Sequence, residues 1–123
     1  MYDDDKKEDS EEDNSDEILS ILSDKQSREI IKLLTKTELT IQQISNLLNI
    51  PQSTAYRKTR KLEELEIVKK TKVVRTLEGL DESYFKNWTY EITVTYRDGN
   101  LSYKLEHVKI EDKIVRLWQK FSE

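Results

Sequence analysis

Between Thr40 and Arg57 two helical patterns follow one another with almost no chain between them, which few folds accommodate. Thr40 and Gln43 have the spacing of a capping box, in which a hydroxyl and an amide side chain satisfy the free amides at a helix start. Ile41, Ile44, Leu47 and Leu48 then recur at helical spacing and give that helix one apolar stripe. Asn49 tolerates the left-handed conformation that ends a helix sharply, Ile50 can turn inward, and Pro51 suits the first turn of a new helix. The second helix is predicted from Pro51 or Gln52 to about Glu66, with Ala55, Leu62 and Leu65 inward. Two amphipathic helices joined this closely form a helix-turn-helix.

Upstream, Ile18, Leu19, Ile21 and Leu22 predict a short helix, and Ile30, Ile31, Leu33 and Leu34 a second one capped by Ser23 or Asp24. Thr37 to Leu39 form an extended link. Downstream, the period changes to two. Ile67 to Leu77 is rich in β-branched residues, Gly79 offers a turn, and the polar stretch through Lys86 is long for a tight hairpin. Trp88, Tyr90, Ile92, Val94 and Tyr96 alternate with polar residues and predict one long strand with a buried face. Asp98-Gly99-Asn100 is a hairpin turn, and Leu101, Tyr103, Leu105 and His107 continue the alternation on a returning strand. A last helix is predicted from about Ile110 to Phe121. The fold class is therefore α+β, mainly helical with a β wing: a winged helix-turn-helix with an extended β-hairpin and a C-terminal helix.

The net charge of −4 conceals two unlike regions. Residues 1–17 hold ten acids against Lys6 and Lys7; removing that −8 from −4 leaves +4 on residues 18–123. A segment so charged and so poor in apolar side chains is expected to be a disordered acidic tail. Residues 18–108 then form the winged domain, and 109–123 a helix suited to dimerisation. The absence of cysteine excludes a disulfide framework and thiolate metal sites. The lack of cysteine fits a reducing interior, so a cytoplasmic location is expected, and no apolar run approaches the roughly 20 residues of a membrane span, so no membrane partner is expected.

In a helix-turn-helix the second helix inserts its N-terminal residues into the major groove of duplex DNA. Gln52, Ser53, Thr54, Tyr56 and Arg57 point away from the apolar stripe, and each can bond base edges or phosphates. Lys58, Arg60 and Lys61 continue the polar side, and Lys69, Lys70, Lys72 and Arg75 follow. From Ser53 to Arg75 these eight basic residues stand against Glu63, Glu64 and Glu66, a local balance of +5 that suits phosphate binding.

The runs "LTIQQISNLLNI", "PQSTAYRKTRKL" and "EELEIVKK", from Leu39 to Val68 and just beyond, resemble the ArsR-like winged-helix regulators, especially their archaeal relatives. The resemblance implies a dimeric DNA-binding transcription regulator, with Gln52, Ser53, Thr54, Tyr56 and Arg57 as recognition residues and Lys69, Lys70, Lys72 and Arg75 near the wing. Ser45 replaces the small residue usual in the first motif helix, and Asn49 the turn glycine. The cysteine-rich metal-sensing motifs of some members are missing, so no metal and no cofactor are expected.

Blander readings stand beside these. Tyr56 can support the core, and Lys69, Lys70 and Lys72 can simply protect a strand edge. Trp88, Tyr90 and Tyr96 read as an ordinary strand core in preference to a ligand pocket. His107 has no cysteine partner for a metal, and no nucleophile is paired with a base, so an enzyme is not expected. Ile18 and Leu22 with Ile114, Leu117, Trp118 and Phe121 exceed what one small domain hides, and a homodimer interface is their economical use. The acidic tail is expected to compete with DNA or to contact the transcription machinery. The alternative function is a winged-helix protein-interaction module with little DNA binding.

Overall fold

The computed structural model describes residues 14–109. Helix α1 occupies residues 14–23 and is followed by α2 (Lys25–Lys36), β1 (Leu39–Thr40), α3 (Ile41–Leu48) and α4 (Gln52–Glu64). Four strands complete the order: β2 (Val68–Arg75), β3 (Asp81–Asn87), β4 (Thr89–Arg97) and β5 (Asn100–His107). One sheet has the order β1-β3-β2, all antiparallel, and β4 and β5 form a separate two-stranded hairpin. This is an α+β winged helix-turn-helix in which β2 and β3 are the wing.

The local rules behave as chemistry requires. Asp24 caps α2 by accepting from the Ser27 amide at 3.0 Å. The capping box of α3 is reciprocal: the Gln43 amide donates to the Thr40 hydroxyl at 3.2 Å, and the Thr40 amide donates to Gln43 Oε1 at 2.9 Å. Asn49 ends α3 in the left-handed conformation with φ of 54°. Helix α4 stops two residues earlier than its periodicity suggests, because Glu66 takes a positive φ of 62° and turns the chain into β2.

The core gathers Ile18 and Ile21 of α1, Ile30 and Leu34 of α2, Ile44 of α3, Ala55 and Leu62 of α4, then Ile67, Val68 and Phe85. Two expectations need correction. Residues 14–17 belong to α1 and not to an acidic tail; Ser15 is fully buried there, so packing overrides the local charge. Ile18 is fully buried within the single chain and cannot serve as an interface contact, whereas Leu22 is half-buried and packs against the core. The polar stretch through Lys86, read as long for a tight hairpin, contains the strand β3, which pairs with both β2 and β1.

The aromatic row also departs from a simple buried face. A bulge between Thr89 and Glu91 re-aims Tyr90, which is 67% exposed. Packing on the core reaches Val94 and its partner Tyr103 and ends there, so Tyr96, one step nearer the turn, is 73% exposed. Trp88 precedes β4 and stacks on His107, with ring centroids 3.5 Å apart and planes 6° from parallel. His107 Nε2 lies 2.8 Å from the Glu66 carbonyl, which ties the second hairpin to the end of α4. Residues 1–13 and the C-terminal segment with Ile114, Leu117, Trp118 and Phe121 lie outside the described residues.

Candidate nucleic-acid interface

Helical spacing sorts the polar side of α4 into two rows. Gln52, Tyr56 and Arg60 face the wing and line a groove of about 410 Å³ shared with Lys70 of β2. Arg57, Lys58 and Lys61 line a groove of about 930 Å³ against α1 with Glu17 and Asp24, and Tyr56 and Arg60 border both grooves. Gln52, Ser53, Tyr56 and Arg57 are exposed and Thr54 is half-buried. Tyr56 is 56% exposed, so its ring does not serve the core.

The basic residues divide by what holds them. Lys58 is drawn inward: its ammonium pairs with Asp24, and its side chain is only 15% exposed. Lys58 is therefore a positioning residue between α4 and the α2 cap, and the expectation that it meets phosphate does not fit its placement. This contact lowers the Asp24 carboxyl from 3.8 to about 2, chiefly through the Lys58 hydrogen bond and then the Ser27 hydroxyl, with burial opposing. Arg60 bonds Glu63 at 2.8 Å, and Lys61 reaches Glu17 at 3.1 Å and Glu64 at 4.0 Å. On the wing, Lys72 pairs with Glu38 at 3.0 Å and lies 4.6 Å above the Tyr84 ring, while Arg75 meets Asp81 at 3.5 Å. The Thr71 hydroxyl also donates to Glu38, and Thr71 first, then Lys72, holds that carboxyl below its ordinary range.

Lys69 and Lys70 point to opposite faces of β2. Lys69 sits 4.9 Å over the Trp88 ring, and Lys70 turns into the groove beside Tyr56. Among the described residues, Arg57 and Lys70 make no ion pair. They bracket the exposed crest of α4. The start of α3 joins the same groove through Gln42, which the sequence reading did not single out. The wing tip is not basic: Leu77 and Leu80 are exposed beside Glu78, Asp81 and Glu82.

Residues 24–70, from the α2 cap to the third residue of β2, match the family described as bacterial regulatory protein, arsR family. The helix-turn-helix is ArsR-like. The ArsR-like match on a winged fold supports a DNA-binding transcription regulator. β3 and the β4–β5 hairpin lie beyond the matched stretch. A comparison with curated proteins finds no match. Among the described residues, no helix is long and apolar enough to cross a membrane.

Proposed function

We propose that this chain is a cytoplasmic, homodimeric, sequence-specific binder of double-stranded DNA that regulates transcription, of the kind it resembles among archaeal ArsR-like proteins. Gln52, Ser53, Thr54, Tyr56 and Arg57 read the major groove. Lys70 and Lys69 hold phosphate, with Arg60, Lys61, Lys72 and Arg75 in support once exchange with solvent or phosphate loosens their exposed ion pairs. The carrying observation is the exposed row Gln52, Ser53, Tyr56 and Arg57 at the start of α4, beside Lys70, in an ArsR-like helix-turn-helix. No nucleophile, base or cofactor enters this reading, which is that of a binding protein and not an enzyme.

Selection of duplexes from a random pool by the full chain tests it. The expected result is enrichment of two-fold sites whose halves lie about one DNA turn, roughly 34 Å, apart. Arg57→Ala is expected to cost about 1–3 kcal/mol on the selected site and to relax one position of it. An unenriched pool, with equal affinity of wild type and Arg57→Ala for every duplex, overturns the assignment. The apolar and acidic wing tip favours a second reading, in which the tip meets a protein partner while α4 engages DNA. Leu77→Ser with Leu80→Ser then leaves DNA affinity unchanged and abolishes partner recruitment in a reporter assay.

A further inference from the structure

We infer that the outer edge of β4 is the dimer surface: two copies pair β4 against β4 in antiparallel register about Val94. This rests on the homodimeric part of the proposed function and names the surface that carries it. β4 is nine residues long, contains no proline, and uses one edge to pair with β5; the other is unpaired among the described residues. Such an edge presents a row of amides and carbonyls that a second strand satisfies.

The sequence of β4 is self-complementary in this register. A two-fold axis through Val94 sets Glu91 opposite the second copy's Arg97, twice, with Thr93 opposite Thr95 and Ile92 opposite Tyr96. Glu91 and Arg97 are both exposed, and neither makes an ion pair among the described residues. Cross-strand pairs of opposite charge stabilise a sheet, and like charges there destabilise it. The stretch from Glu91 to Arg97 is free of bulges, so the register can hold along all seven residues.

The Ile92–Tyr96 pairing has a second consequence. Ile92 borders a groove of about 380 Å³ between α2 and the start of β4, lined also by Leu22, Ile31 and Arg28. Tyr96, 73% exposed in one copy, falls beside that groove in the other. The groove supplies apolar walls for the ring and a guanidinium for its face. Leu22 would then serve the interface without any contribution from Ile18. The edge of β5 is the poorer candidate, since its charges Lys104 and Glu106 already satisfy each other at 2.9 Å along one strand.

Sedimentation equilibrium on the full chain without DNA tests the register. Glu91→Arg and Arg97→Glu, both on exposed side chains, are each expected to weaken the dimer roughly ten-fold or more. The double reversal restores it, because each new arginine again faces a glutamate across the axis. The absence of native cysteine allows a second test. Val94→Cys, on the axis, is expected to form a disulfide-linked dimer on mild oxidation, since facing Cα atoms at about 4.5–5.5 Å lie within disulfide reach. Leu19→Cys on α1 is not. A monomer at all concentrations overturns the inference, as does a dimer indifferent to both reversals or cross-linked through Leu19→Cys alone. Because no DNA is present, loss of duplex selection in the separate pool experiment leaves this result standing, and a monomer here removes the two-fold expectation while the pool still decides whether α4 reads DNA.

Discussion

Asp24 joins two helices through one carboxylate: it caps α2 through Ser27 and holds Lys58 of α4. Its folded pKa of about 2 lies below the unfolded 3.8. Between about pH 4 and pH 2 the unfolded chain therefore binds more protons, so this contribution to stability is complete above pH 4 and vanishes as pH falls through 2. Asp24→Ala is expected to cost about 1–2 kcal/mol at pH 7 through the lost cap and the stranded Lys58. Urea unfolding across that acid window should show a shallower pH dependence in the variant. Thr59 predicts the opposite sign. It is fully buried in α4, and its hydroxyl has no hydrogen-bond partner among the described residues. Thr59→Val keeps the shape and removes the unsatisfied oxygen, and is expected to stabilise by about 1 kcal/mol in the same urea titration.

Among the elements, those with a period or a cap could be read from the chain, and the one with neither could not. Thr40 with Gln43, Asn49 and Pro51 each impose a local conformation whatever surrounds them, which is why α3, the turn and α4 stand where the sequence places them. β3 lacks such a signal. Its one core residue is Phe85, flanked by Tyr84 and Lys86, and its pairing with β1 and β2 is set by residues about 45 and 15 positions away by loop-closure logic. The exposure of Tyr90 was equally illegible, because the bulge that re-aims it is a property of the β4–β5 register and not of β4 alone. Within the candidate site, the row from Gln52 to Arg57 was readable, but the capture of Lys58 by Asp24 depends on how α2 and α4 pack. Phe85→Ala is expected to destabilise by about 3–5 kcal/mol, as a truncated core aromatic does. Leu77→Ser at the exposed wing tip should stay within about 0.5 kcal/mol of wild type. Thermal and urea unfolding of the pair would show which end of the wing belongs to the core.

For the whole molecule, the decisive quantity is how many cations remain available to phosphate after the chain's own acids have taken theirs. Lys58, Arg60, Lys61, Lys72 and Arg75 each have a carboxylate within 4.0 Å, whereas Arg57, Lys69 and Lys70 have no ion pair among the described residues, and of these Lys69 lies over the Trp88 ring on the other face of β2 from Lys70. Duplex affinity should therefore lose about 0.9 of its logarithmic salt slope per protomer for Lys70→Ala, whereas Arg57→Ala should act mainly on the base position it reads. Lys58→Ala should lower stability and leave the slope unchanged. The acids of residues 1–13 enter the same balance from outside the described fold: eight Asp and Glu against Lys6 and Lys7 give −6. Changing all eight to their amides removes a charge that opposes DNA at long range. Affinity for any duplex should then rise at low salt, and the two proteins should converge once the Debye length shrinks to a few Å, near 1 M. Equal affinities at low salt would show that the acidic segment acts on something other than the α4 face, and the recruitment assay would then be the place to look for its effect.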